Sequence, residues 1–172
     1  MDLATTIRSV PDFPIEGILF YDITTLLKNP AALKETIDQL SQHYQDKGIE
    51  VVAGIESRGF IFGMPLAYQL GVGFVPIRKP GKLPAETVSE SYDLEYGSNT
   101  LEMHVDAIEK GQKVLIVDDL LATGGTAAAT CSLIEKTGGE VAGLAFIIEL
   151  SFLEGREKIK DYDIFSLLKY DE

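Results

Sequence analysis

A chain of 172 residues, 45% hydrophobic and 24% charged, has the size and composition of one globular domain with a sizeable core. Its net charge of −12 argues against a general nucleic-acid binder. No apolar run approaches the roughly 20 residues of a membrane span, residues 1–10 lack the apolar stretch of a signal peptide, and the single Cys131 fits a reducing cytosol.

In chain order, residues 1–10 are expected to form a short amphipathic helix closed by Pro11, with an irregular stretch over 13–21. Asn29 as N-cap and Pro30 in the first helical position then start a helix over 31–47, stopped by Gly48. Residues 50–55 read as a buried strand, 60–70 as a helix and 73–78 as a second strand. Pro80, Gly81 and Pro84 break the pattern. Segments 88–95 and 99–105 predict an antiparallel hairpin turning near Gly97, since Leu101, Met103 and Val105 alternate with Glu102 and His104. Residues 113–117 predict a strand, 127–136 a helix with Thr126 as N-cap, and 141–150 and 164–168 two more strands. Strands alternating with helices indicate an α/β fold with a central, mostly parallel sheet covered on both faces. The whole chain is expected to be a single domain. Cys131, inside the last helix, reads as a small core residue, and His43 and His104 lack metal-like spacing.

The run Val114-Leu115-Ile116-Val117-Asp118-Asp119-Leu120-Leu121-Ala122-Thr123-Gly124-Gly125-Thr126 carries the most specific chemistry. Four branched apolar residues form the strand, two carboxylates are expected at its end, and a Gly-rich turn opens the next helix. In a parallel sheet, ligands collect at this carboxyl edge, where loop N–H groups and the helix dipole favour an anion. Ionised Asp only accepts hydrogen bonds, so Asp118 and Asp119 suit a ligand with hydroxyls to donate. A ribose diol bearing a 5′-phosphate has that form. The turn lacks the Lys of a Walker A loop.

Two other strand ends carry cations despite the acidic balance. Glu56-Ser57-Arg58-Gly59-Phe60 puts Arg58 in position to grip a pyrophosphate, and Arg78-Lys79-Pro80-Gly81-Lys82 adds three more positive charges. Glu95 and Tyr96 stand near the expected hairpin tip, where a flap could close over substrate.

The long run resembles the phosphoribosyl-pyrophosphate (PRPP) signature of the type I phosphoribosyltransferases. Further stretches narrow the likeness: Pro14-Ile15-Glu16-Gly17-Ile18-Leu19-Phe20-Tyr21-Asp22-Ile23-Thr24, Glu56-Ser57-Arg58-Gly59-Phe60, Arg78-Lys79-Pro80-Gly81-Lys82-Leu83-Pro84, Tyr92-Asp93-Leu94-Glu95-Tyr96-Gly97 and Leu153-Glu154-Gly155-Arg156-Glu157. Together they resemble the adenine phosphoribosyltransferases over essentially the whole chain. The resemblance implies a cytoplasmic homodimer, with a flexible hairpin flap and a small hood from both termini. It also implies conversion of adenine and PRPP to AMP and pyrophosphate, with Mg2+ carried mainly by PRPP rather than by protein ligands. It places Asp118 and Asp119 on the ribose hydroxyls, and Ala122, Thr123, Gly124, Gly125 and Thr126 around the 5′-phosphate. Ser57, Arg58, Lys79 and Lys82 fall on pyrophosphate contacts, and Arg78 on a residue reaching across the dimer. Leu19, Phe20 and Tyr21 fall on the adenine loop, Leu153 on the other wall of that pocket, and Glu95 and Tyr96 on the catalytic flap. Tyr21 departs from the Arg found there in many relatives, so no side-chain role carries over to it. Two alternatives stay open: a phosphoribosyltransferase for another purine, and a PRPP-sensing regulator that reads nucleic acid.

Overall fold

The computed structural model describes residues 1–94 and 96–172. The N-terminal segment differs from the helix expected there. Asp2 caps a single 3-10 turn, Leu3–Thr6, after which β1 (Arg8–Pro11) pairs antiparallel with β2 (Leu19–Asp22). The β-branched Thr5, Thr6 and Ile7 are poor helix formers, and β2 offers a ladder instead. A short α1 (Thr24–Leu27) leads to α2 (Pro30–Tyr44). Asn29 caps α2 as expected, its Oδ1 accepting the Ala31 and Ala32 N–H groups at 3.1 and 3.2 Å.

Next come β3 (Val51–Ile55), α3 (Arg58–Leu70), β4 (Gly73–Ile77) and the hairpin of β5 (Thr87–Asp93) with β6 (Ser98–His104). They are followed by β7 (Lys113–Leu121), α4 (Gly125–Lys136), β8 (Glu140–Leu150), two 3-10 turns (Ser151–Leu153 and Gly155–Ile159) and β9 (Ile164–Tyr170). The central sheet runs β4-β3-β7-β8-β9, and every neighbouring pair in it is parallel. Continuous apolar strands are what a sheet buried on both faces requires. Along β7, Val114 and Ile116 enter one core with Leu133 and Ile134 of α4, while Leu115 and Val117 enter the other with α2 and α3.

Two further expectations are corrected. The β7 strand does not stop before the carboxylates. It continues to Leu121, because β8 runs alongside and pairs Asp118 with Phe146 and Leu120 with Ile148. The α4 helix is capped by Gly124 rather than Thr126, since Gly124 takes φ +85° as the loop turns into the helix.

At the same carboxyl edge of the sheet, the hood formed by β1 and β2 is tied to the C-terminal strand. The Tyr21 ring stacks on Tyr170 with centroids 3.8 Å apart, and its hydroxyl donates to the Glu172 carbonyl at 2.9 Å. The hairpin rests on α4: Lys136 Nζ donates to the Ser89 carbonyl at 2.9 Å and pairs with Glu90 at 2.6 Å. Among the described residues, no helix is long and apolar enough to cross a membrane.

Candidate active site

Parallel strands place their carboxyl ends on one edge of the sheet, and the chain builds its site there. Gly59 lets the start of α3 come down onto the end of β7, where a Cβ would lie only 2.7 Å from the Val117 carbonyl oxygen. That approach carries the Arg58 guanidinium to Asp119, and its Nε donates to Oδ2 at 2.5 Å. Asp119 is buried and Asp118 half-buried beside it, with the Asp119 N–H donating to Asp118 Oδ1 at 2.8 Å. Burial first, and then the neighbouring Asp119 charge, raises the Asp118 carboxyl well above the usual carboxylate range. The hydrogen bond from Arg58 to Asp119 raises the guanidinium further above its already high value.

Two cavities meet at this ion pair. The smaller, about 200 Å³, is lined by Asp118, Asp119 and the whole loop from Ala122 to Thr126. The larger, about 540 Å³, lies under the hood, between Leu19, Phe20 and Tyr21 on one side and Leu120, Ile148 and Leu150 on the other. Both are bordered by Arg58, Asp119 and Leu120. One cavity offers carboxylates and loop backbone, the other a mostly apolar slot. The Phe20 ring is held edge-on to Phe13 at 5.1 Å. Asp22 closes the hood by accepting from Thr24 N–H and hydroxyl at 2.9 and 2.7 Å and from Arg8 Nε at 3.0 Å. The Thr24 hydroxyl, followed by Arg8, lowers its carboxyl to about 2.

The remaining candidates are placed less centrally. Ser57, Lys79 and Lys82 are exposed. Arg78 lies over Glu56 of its own chain, its Nε donating at 2.9 Å, and the Lys79 N–H reaches the same carboxylate at 3.2 Å. Burial opposes ionisation of Glu56, but these bonds win and lower its carboxyl overall. Tyr96 is 87% exposed. Leu153, 40% exposed, is absent from the cavity lining, where Ile148 and Leu150 of β8 stand instead. Glu95 lies outside the described residues.

Three features escaped the sequence reading. The Arg58–Asp119 pair joins residues 61 positions apart, and no local pattern announces it. The aliphatic wall from β8 reads only as strand core. Tyr92 of the hairpin bonds the Thr126 hydroxyl at 2.9 Å and so joins hairpin to loop across 34 positions, a pairing that no local pattern signals.

The donor set beside the 122–126 loop has the chemistry of a Mg2+ site. Asp118 and Asp119 offer hard oxygen ligands beside the anion loop, and Mg2+ is commonly held by one or two carboxylates together with substrate phosphates. Among the described residues, no group of three or more His, Cys, Asp or Glu is arranged as a metal cage. The two carboxylates fit a partial Mg2+ site of that kind.

Residues 22–171 match the phosphoribosyl transferase domain family. The chain is 62% identical to an adenine phosphoribosyltransferase of Acidobacterium capsulatum over 170 residues, covering 99% of this chain and 94% of that one. It is also 62% identical to an adenine phosphoribosyltransferase of Chloroflexus aurantiacus, covering 98% of each. A crystal structure of the enzyme from Thermoanaerobacter pseudethanolicus superposes with a TM-score of 0.95 at 53% identity, covering 98% of both chains. The Saccharomyces cerevisiae enzyme, solved with adenine and an imino-altritol bisphosphate, superposes with a TM-score of 0.92 at 43% identity, covering 97% of each.

Proposed function

The chain belongs to the phosphoribosyl transferase family, close to its adenine-specific members, and from that premise we propose that it transfers the 5-phosphoribosyl group of PRPP to adenine, giving AMP and pyrophosphate. The observation that carries this reading is the meeting of an anion-and-diol cavity with an apolar slot at Arg58 and Asp119. The first suits the ribose 5-phosphate of the donor, the second a purine stacked beside Phe20. C1′ would then lie between them, near the two aspartates.

In this reading residues 1–172 act as one domain. The 122–126 loop binds the 5′-phosphate through its N–H groups, and Asp118 and Asp119 accept hydrogen bonds from the ribose hydroxyls. Breaking the C1′–O bond leaves positive charge on the ribose, as in other oxocarbenium-like glycosyl chemistry. Both carboxylates lie where that charge develops. Ser57, Arg58, Lys79 and Lys82 receive the departing pyrophosphate, for which Arg58 must leave Asp119. Mg2+ bound with PRPP supplies further charge neutralisation on the leaving group. Adenine forms the new bond through N9 while Glu95 takes the proton from N7, and Tyr96 helps the flap exclude water.

The exposed faces of Ile61, Met64 and Tyr68 form an apolar stripe on α3, with Tyr68 89% exposed. We assign that stripe to a homodimer contact, with Arg78 turning from Glu56 toward the partner. A cytoplasmic location fits the lone thiol and the intracellular substrates of the reaction.

The direct test incubates the protein with PRPP, adenine and Mg2+ and follows AMP and pyrophosphate. Equal amounts of both products are expected, and Glu95→Gln should slow their formation by about 10²-fold. Absence of AMP overturns the assignment.

A further inference from the structure

The Leu153-Glu154-Gly155-Arg156-Glu157 stretch has a feature that the chemistry above does not use. Glu149 stands near the end of β8, opposite Leu121 of β7, and is only 3% exposed. Arg156 holds its carboxylate with both arms: Nε donates to Oε1 at 2.6 Å and Nη2 to Oε2 at 2.9 Å. Such a bidentate pair fixes orientation as well as distance, which a Lys ammonium does not. The chain reverses at Glu154, where φ is +55°, so the pair folds residues 151–159 back across the carboxyl end of β7.

Between the reversal and the ion pair lies Gly155, which is buried. A Cβ on Gly155 would collide with the Ala122 carbonyl oxygen and come within 3.0 Å of the Leu121 side chain. A Cβ on Gly124 would collide with the Gly155 carbonyl oxygen. The contact is reciprocal, backbone against backbone, and its two sides are the anion loop and the segment held by Arg156. Ile159 anchors the far end of that segment in the core cluster that α4 also joins.

We propose that Arg156, acting through Glu149, is a positioning residue for the phosphate loop. It holds Gly155 against Ala122 and Gly124 and so sets the direction in which the 122–126 N–H groups face an anion. The inference rests on reading 122–126 as the cradle of the 5′-phosphate. A buried ion pair contributes little net stability, because desolvation offsets most of the attraction. Its effect here is geometric, and a shift of about 1 Å in a binding group costs on the order of 10²-fold in rate.

The test compares steady-state constants of the wild type, Arg156→Lys, Glu149→Gln and Ile37→Val. The last truncates a buried residue of α2 away from the loop and lowers stability alone. Arg156→Lys is expected to raise the KM for PRPP on the order of tenfold while the adenine KM stays within about twofold. Glu149→Gln should move in the same direction, and Ile37→Val should leave both constants in place. If Arg156→Lys does not fold, Glu149→Gln carries the test alone. A PRPP KM unchanged in the folded variants, or moved equally by Ile37→Val, overturns the proposal. Wild-type protein that does not bind AMP overturns the phosphate-cradle reading itself, and the proposal with it.

Discussion

The Arg58 guanidinium donates to the Asp119 carboxylate across 2.5 Å at the place where the two cavities meet. The pair holds both groups ready while keeping them from their proposed ligands. In the proposed reaction Asp119 accepts from the ribose and Arg58 receives the pyrophosphate, so one molecule of PRPP would separate them. Arg58→Ala should therefore weaken PRPP binding and also leave two carboxylates uncompensated. We expect a loss of about 1–3 kcal/mol in unfolding free energy and at least a tenfold loss in kcat/KM. Urea unfolding and initial rates read the two effects separately.

Asp118 works against the fold it belongs to. Its raised carboxyl means that ionisation costs folding free energy once pH rises past the unfolded value of about 3.9. Asp118→Asn removes that cost and keeps an oxygen to accept the Asp119 N–H. The variant should melt about 2–4 °C higher at neutral pH while losing most of its turnover. A melting temperature at or below that of the wild type would contradict this.

Acid should loosen the hood through Asp22. Its carboxyl is lowered to about 2 in the folded protein, so its stabilising effect is complete above about 3.9, the unfolded value, and is lost as pH falls through about 2. Asp22→Asn should make the acid limb of a stability–pH profile shallower over that window. Neutral-pH activity with saturating adenine should change little.

Tyr21 turns its side chain to the C-terminal strand, not to the cavity alone. The stack on Tyr170 and the bond to Glu172 tie the hood to the end of β9. Tyr21→Leu should raise the adenine KM several-fold, and Tyr21→Phe, which keeps the stack, should recover most of the loss. The PRPP KM is expected to stay near the wild-type value in both.

The sequence made the sheet legible because its strands are buried on both faces and read as apolar runs, from Val51 to Ile55 and from Val114 to Val117. Local chemistry likewise announced the Asn29 cap and the Gly-rich loop that lines the smaller cavity. Where tertiary pairing decides, the reading fell short. The β7 strand continues through Asp118 and Asp119 because β8 lies beside it, and residues 8–11 become a strand because Leu19–Asp22 pairs with them. The same limit applies to the site. Residue types and turns pointed to Asp118, Arg58 and the 122–126 loop. The Arg58–Asp119 pair, the Ile148 wall and the Gly124–Gly155 contact exist only once distant segments meet.

In the proposed reaction the slot beside Phe20 receives adenine while the 122–126 loop holds the phosphate of the donor. Supplying PRPP and Mg2+ with adenine, hypoxanthine, guanine or xanthine in turn, and identifying each nucleotide formed, reads out that division of the site. AMP is expected from adenine, with kcat/KM for the other bases lower by on the order of 10²-fold or more. Comparable turnover of hypoxanthine, guanine or xanthine would contradict it.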